Sequence, residues 1–433
     1  MESLWEADIK IPEFPPLPGD VSTDVLIIGG GMTGILCALE LDRRGISYIL
    51  LEARRIGSGT TRGTTAVLTA QHSALYSDMA QKFGMQKAGQ YLEANLCAVQ
   101  RFRELSEKYP CDFEEKPSYM YANAGVHRLE REVKTLAKLG FSAEFVTNTP
   151  LPFYVDGAVR YPGMAQFHPL KFIAGAAKRL KIYENTFVRR IDGDTAWTDH
   201  GKVRAKAVIM ATRYPFLNRY GLYFMKLYQI RSFVTALEGG PDVMGTYVDA
   251  SERGAYFRNY KNYLVAGGGD HRTGTKAGGF PAVFGYVKRN FPGCKISYSW
   301  AAQDSISLDG IPYIGRYSPK TPDLYVATGF NEWGMTSAMA ASAILADMIT
   351  GVQNSHAPVF SPNRSMWQKQ LFMNLGETFI NFILPTAPRC THLGCSMRWN
   401  KEDRTWDCPC HGSRFDEHGK LIDNPAMRDL KPR

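Results

Sequence analysis

The segment Asp24-Val-Leu-Ile-Ile28 is followed at once by Gly29-x-Gly31-x-x-Gly34, and this junction constrains the chain more than any other stretch. The apolar run reads as a buried parallel strand. Ile35 to Arg44 has helical spacing, and Gly45 ends the helix. Tyr48 to Leu51 is a second apolar strand, closed by Glu52. Each glycine has a mechanical task. Gly29 makes the tight turn, Gly31 lets a pyrophosphate approach the backbone, and Gly34 lets helix and strand pack closely. The phosphates then meet free N–H groups and the positive end of the helix dipole. Glu52 is placed to accept hydrogen bonds from ribose hydroxyls. The unit therefore predicts a dinucleotide site in a parallel α/β sheet. The fingerprint alone leaves NAD and FAD both open.

The chain has 433 residues, enough for two or three domains. Residues 78–109 and 127–140 carry amphipathic helical patterns, with a strand at Tyr119 to Ala122. His168 to about Leu180 reads as a helix. Phe187 to Ile191, Ala196 to Thr198 and Val203 to Ala211 read as strands. The Tyr-, Phe- and Val-rich stretch from Phe224 to Val265 predicts an antiparallel sheet. Asp323 to Thr328 is a strand, Gly329 to Gly334 a turn and Thr336 to Ile349 a helix. Ser365 to Phe382 forms one helix within a linker.

The charge balance is 51 − 42 = +9, spread thinly and without a basic run. It fits anionic cofactors better than nucleic acid. No run of 18 apolar residues is present, so no membrane span is expected. The first twenty residues carry acids and prolines but no apolar signal core. Cys37, Cys97, Cys111 and Cys294 are scattered, as buried thiols in a reducing compartment would be, and the expected location is the cytoplasm. Cys390, Cys395, Cys408 and Cys410 crowd into one short stretch, which points to a metal site.

Further segments resolve the choice of dinucleotide. They are Gly57-Ser-Gly-Thr-Thr61 with Thr64-Thr65, Gln166-Phe-His-Pro-Leu170, Val208-Ile-Met-Ala-Thr212, Asp309-Gly-Ile-Pro-Tyr-Ile-Gly315 and Tyr325-Val-Ala-Thr-Gly-Phe-Asn-Glu-Trp-Gly-Met-Thr336. With the opening fingerprint, they make residues 20–352 resemble the FAD-dependent D-amino-acid oxidase and glycine oxidase family. The resemblance implies a discontinuous Rossmann-like FAD domain (about 20–80, 160–216 and 300–352). It also implies an inserted antiparallel-sheet substrate domain (about 81–159 and 217–299), the two together filling residues 1–352. The FAD contacts it implies are Gly29, Gly31, Met32, Thr33, Gly34, Glu52 and Ala53. Thr60, Thr61, Thr64 and Thr65 would line the phosphates and flavin. Val188 would touch adenine through its backbone, with Ala211 and Thr212 near the cofactor. Gly329, Phe330, Trp333, Gly334, Met335 and Thr336 would cover the flavin ring. The family's amino-acid oxidases usually carry a carboxylate-binding arginine shortly before the Pro-x-Ile-Gly segment. Trp300 to Asp309 has none, which argues against an amino-acid substrate. His271, Arg272 and Gln303 are the replacement candidates on the substrate side. No side-chain base is assigned.

After the linker, 353–389, the chain reads Cys390-Thr-His392-Leu-Gly-Cys395 and Cys408-Pro-Cys410-His411-Gly-Ser413. Two loops that each give one Cys and one His supply what a Rieske [2Fe–2S] centre needs. Zinc also accepts mixed Cys and His ligands, although its arms favour Cys-x-x-Cys and His-x-x-x-His. The stretch closely resembles the disulfide-bearing branch of the Rieske family. That implies Cys390, His392, Cys408 and His411 as ligands, a Cys395–Cys410 disulfide, and Ser413 as a hydrogen-bond donor. Trp406, Phe415 and Pro425 would shield the cluster. Phe415 stands where high-potential members commonly have Tyr. The strands that normally precede the first ligand loop are missing, so residues 390–433 form a partial, small all-β module.

The expected activity is an FAD-dependent dehydrogenase. A small, amine-type reductant gives up its electrons, which pass singly through the cluster to an unidentified acceptor. The alternatives are an oxygen-using amine or amino-acid oxidase with a vestigial cluster, and a flavin–iron electron-transfer module without its own substrate.

Overall fold

The computed structural model describes residues 3–251, 254–385 and 388–430. Val21–Ile28 pairs in parallel with Tyr48–Leu51 on one side and Gly201–Met210 on the other. Ile182–Tyr183 extends one edge, and Thr321–Thr328 with Tyr313–Ser318 extends the other. The hairpin Val188–Asp192 and Thr195–Thr198 joins the sheet at the start of Gly201–Met210. Alternation explains the apolar runs. Val25, Ile27 and Leu50 enter the core on one face, and Leu26, Ile28, Ile49 and Leu51 the core on the other. A strand covered on both faces needs apolar residues at every position. The helices Met32–Arg43 and Gly334–Thr350 pack against each other over the first of these cores.

A second eight-stranded sheet runs in the order Lys295–Ser307, Leu227–Glu238, Tyr263–Arg272, Tyr256–Tyr260, Thr246–Asp249, Ser118–Ala122, Gly157–Tyr161, Glu144–Val146. It departs from the antiparallel expectation at one joint, where Thr246–Asp249 lies parallel to Ser118–Ala122. Lys295–Ser307 belongs wholly to this sheet, so the sheet extends past the boundary drawn at 300. The predicted helix over 78–109 is two helices, Leu75–Phe83 and Met85–Lys108, broken at Gly84, whose φ is +89°. The linker helix spans Lys369–Ile383. Cys37 and Cys111 are buried, but Cys97 is exposed and Cys294 half-buried, against the expectation for scattered thiols. Among the described residues, no helix is long and apolar enough to cross a membrane.

The C-terminal module is a four-stranded antiparallel meander: Arg398–Asn400, Thr405–Asp407, Arg414–Asp416 and Leu421–Asp423. The module packs against the second sheet. Arg231 of strand Leu227–Glu238 reaches across to Asp403. Asp403 also takes Arg414 at 2.8 Å, and Arg414 holds Asp407 at 3.0 Å. Arg231, Asp407 and Arg414 are buried. A buried ion pair is net favourable only with close geometry and further hydrogen bonds. Arg414 has both, bonding Asp403, Asp407 and Thr405 Oγ1, whereas Arg231 Nε is buried without a hydrogen-bond partner. The backbones also meet directly. A Cβ on Gly274 would lie 2.9 Å from the Pro409 Cα and backbone N. Gly274 also sits at φ +76°.

Gly274→Ala should therefore combine left-handed strain with a backbone clash. Gly163→Ala (φ +71°, open surroundings) carries the strain alone. In thermal or urea unfolding, Gly274→Ala is expected to cost at least ~1 kcal/mol more than Gly163→Ala. Equal losses would show that the interface yields freely.

Candidate functional site

The glycine turn folds as its spacing requires. Gly29 has φ +111°, and a Cβ on it would lie 2.6 Å from the Ala211 carbonyl oxygen. A Cβ on Gly34 would lie 1.8 Å from the Gly29 oxygen, so helix Met32–Arg43 sits tightly on the turn. Around Gly31 only Thr61 Oγ1 approaches, at 3.3 Å. That side opens into a cavity of about 1220 Å³. The cavity is lined by every FAD contact expected from the sequence except Gly34, whose place is in the packing. The Glu52 carboxylate accepts from Gly30 N at 2.7 Å and Arg54 N at 2.9 Å. Burial raises its pKa despite those bonds.

Arg258, fully buried on the neighbouring sheet, fixes the threonine loop. Its guanidinium donates to the carbonyls of Thr65 (2.8 Å) and Ala66 (2.6 Å). The turn after Thr321–Thr328 is held under backbone strain. Asn331 and Glu332 both have positive φ, +54° and +71°. Asn331 Oδ1 accepts from Ser307 N at 2.8 Å, which pins the turn to the second sheet. Such conformations persist when their surroundings over-determine them. Trp333 stacks on His72 at 4.9 Å. His72 bonds Tyr91 OH through Nδ1 (2.7 Å) and Thr336 Oγ1 through Nε2 (3.2 Å). Burial pulls its pKa down to about 3, so the ring is neutral. Sequence reading missed His72, because only the fold brings it to Trp333 and Thr336.

Three carboxylates were also missed. Asp270, Asp304 and Glu332 line the cavity from two strands and the strained turn. Burial, then the neighbouring Glu332, pushes Asp304 up to about 7. Desolvation in the cavity likewise raises half-buried Asp270 well above the carboxylate range, and raises Glu332, which is more open to solvent. Glu332 accepts from Ser232 Oγ at 2.7 Å, and Asp270 Oδ1 is buried without a hydrogen-bond partner. The signal for Asp270 and Asp304 lay in strand alternation, which needs a register that the sequence does not print.

The three substrate-side candidates face other work. Arg272 donates to the carbonyls of Pro409 (3.1 Å) and Cys410 (3.2 Å) and to Asn374 (3.0 Å). It clamps the second cysteine loop and is not free for a substrate anion. Gln303 lies outside the cavity lining and donates to Gly412 O at 2.8 Å. His271 lines the cavity, but its ring lies flat on Phe233 at 5.2 Å and Nδ1 meets Gly269 O at 3.1 Å.

The two ligand loops converge. Cys390 N donates to Cys395 O, and Cys408 N to Ser413 O, each at 2.9 Å, so both loops close as tight turns. Cys390 lies beside Cys408. The His392 and His411 rings are 4.9 Å apart and nearly perpendicular. His392 Nδ1 and both His411 nitrogens are buried without a hydrogen-bond partner. Buried polar atoms are rarely left so, and a metal is what these imidazoles fit. His392 Nε2 instead meets Asn218 Oδ1 at 2.8 Å. The expected Cys395–Cys410 disulfide is not formed; both are free thiols, with their sulfurs and that of Cys408 within 4.8 Å of one another. Ser413 Oγ accepts from Ala426 N at 3.0 Å. The module is seated by Gln229 on His411 O (2.7 Å) and by Asn424 on Tyr214 O (2.7 Å). Asp423, Asn424 and Met427 line the same large cavity as the glycine turn.

Residues 24–348 match the model of a family described as FAD dependent oxidoreductase, and residues 381–432 match the Rieske [2Fe-2S] domain. A putative Rieske 2Fe-2S iron-sulfur protein of Bacillus subtilis, YhfW, is 30% identical over 99% of this chain and 97% of its own length. Gamma-glutamylputrescine oxidoreductase of Escherichia coli is 24% identical, over 79% of this chain and 87% of its own length. Among solved structures, glycine oxidase from Geobacillus kaustophilus superposes with a TM-score of 0.67 at 22% identity, over 80% of this chain and 99% of that one. FAD and a [2Fe–2S] cluster are thus the cofactors that its two parts take, and the chain belongs to the FAD-dependent oxidoreductases, with a Rieske domain at its C-terminal end.

Proposed function

We propose that this protein oxidises a small amine cation and releases the electrons singly, through the Rieske domain, to an acceptor. When bound, FAD supplies two-electron chemistry and the cluster one-electron chemistry. The observation that carries the substrate reading is the trio Asp270, Asp304 and Glu332 on the cavity wall. Carboxylates gathered on a cavity wall, with pKa values raised by desolvation and by one another, favour a cation among them. An ammonium group entering among them would favour the charged form of Asp304, whose proton is released to water, and would pair with the carboxylate left behind. Arg213 lies near enough to favour that charged form. The absence of a free cation at Arg272 argues against a substrate held by its carboxylate. The kinship with gamma-glutamylputrescine oxidoreductase supports the same reading. Electron exit through the cluster is supported by the seating of the ligand loops and by Asp423 and Asn424 on the cavity wall.

An anaerobic screen of amines and amino acids, watching the flavin bleach, tests this function. Bleaching by amines with little peroxide in air is expected. Rapid reduction by glycine or D-amino acids, or stoichiometric peroxide, would overturn it.

Asp304→Asn should lower kcat/KM for the reducing amine roughly 10- to 100-fold, the range of one charge-assisted hydrogen bond. Below about pH 7 Asp304 holds its proton, and above it the carboxylate is charged. KM for a cationic amine should therefore fall as pH rises through 7, and Asp304→Asn should flatten that step. The stability effect has the opposite sense. A carboxyl pKa raised from 3.8 to about 7 by folding lowers stability progressively between those values. Asp304→Asn should thus raise the melting temperature more at pH 8 than at pH 4. A pH-independent effect would remove Asp304 from the argument.

Phe415 is fully buried in the core that holds the four cysteines. Phe415→Tyr is expected to raise the cluster potential, because a hydroxyl donating to sulfur stabilises the reduced charge. One such bond of ~1.4 kcal/mol corresponds to roughly 59 mV for a one-electron couple. An EPR-monitored titration showing no rise would refute the tuning.

A further inference from the structure

Helix Lys369–Ile383 is inside out. Its protein-facing side buries one leucine, Leu371, and two amides, Asn374 and Asn381. Asn374 accepts from Arg272 at 3.0 Å, and Asn381 donates to Glu377 and takes Ser396 N on its carbonyl at 2.8 Å. The solvent side carries Phe372, Leu375, Phe379, Phe382 and Ile383, which helical spacing gathers into one stripe. Phe379 is 67% exposed and Ile383 60%. Trp367, 78% exposed, stands at one end of the stripe, and Leu384 continues it at the other. A surface helix of a globular protein shows the reverse arrangement, and so many large apolar side chains on one face mark an interaction surface.

Two further observations indicate what covers it. Between residues 366 and 388 the only charged side chains are Lys369, which is exposed, and Glu377, which is half-buried and tied to Asn381. Arg389, also exposed, bounds the far end, its guanidinium donating to the carbonyls of Phe382, Leu384 and Gly394. The stripe is thus framed by cations, with no exposed acid on it. The stripe also continues to the cluster loop. A Cβ on Gly394 would lie 3.7 Å from the Phe382 ring, and the next residue back, Leu393, is exposed. The helix is 15 residues long, about 22 Å, and too short to span a bilayer. Aromatic and aliphatic side chains on one face with flanking cations suit a helix lying in the plane of an anionic lipid surface.

We propose that Trp367–Leu384 docks this protein onto the surface of an anionic membrane, with the loop Cys390–Cys395 held at the lipid interface. The proposal is independent of the substrate assigned above. It is tested by co-sedimenting the holoprotein, carrying flavin and cluster, with phosphatidylcholine vesicles and with phosphatidylcholine–phosphatidylglycerol vesicles. Retention on the anionic vesicles that weakens with added salt is expected. The double variant Phe379→Glu/Ile383→Glu should lower that retention at least about tenfold, with its flavin spectrum and rate of flavin reduction unchanged. Phe379→Ala/Ile383→Ala gives the same reading, by a smaller loss, if the charged variant does not fold. Retention on neither vesicle overturns the proposal. So does a dimer in sedimentation velocity that the same substitutions dissociate, because the face would then belong to a second copy of the chain.

Discussion

The Arg231–Asp403–Arg414 network holds the molecule to a single arrangement. An arginine on a flavoprotein strand and an arginine on the C-terminal meander share one aspartate, with Asp407 completing the charge balance. Two cations around one carboxylate would be costly alone in a low dielectric. Asp407 and Asp423 offset the surplus positive charge, and Arg414 contacts both. Once that network is in place, the shorter contacts follow. Gln229 and Gln303 reach the carbonyls of His411 and Gly412, and Asn424 reaches Tyr214. The cysteine–histidine loops are thereby seated on the sheet that also carries Asp270 and Asp304.

Much of the fold was legible because it rests on local rules. The strand–glycine–helix unit needed only alternation, three glycines and a terminal acid, and the structure reproduces it from Val21 to Leu51. Spacing alone also marked the pairs Cys390–His392 and Cys408–His411, since each pair lies on one short loop. What escaped was long-range. Asp270 and Asp304 come from strands that both flank Leu227–Glu238, and nothing near either residue marks it as facing a cavity. His72 is linked to Thr336 across most of the flavoprotein part. Arg272 looked like a free cation after a glycine run, yet its partners Pro409 and Cys410 lie more than a hundred residues on.

The small size of the C-terminal meander has a related explanation. A free-standing module must cover both sides of its ligand loops with its own strands. Here the flavoprotein supplies that cover, through Gln229, Arg272, Gln303 and the backbone at Gly274. A four-stranded meander is then enough. Its short strands, of three residues each, would bury too little apolar surface to be stable alone.

This shared cover also fixes an order of assembly. Domains fold broadly in the order of their synthesis. The strands Leu227–Glu238 and Lys295–Ser307 leave the ribosome before Cys390 is made, so the platform for the ligand loops exists before the loops do. The cysteine–histidine loops thus meet a surface that was synthesised well before them. A truncated chain that stops before residue 390 keeps its main cores but exposes Arg231, Arg272 and Gln303 to water, leaving an open berth.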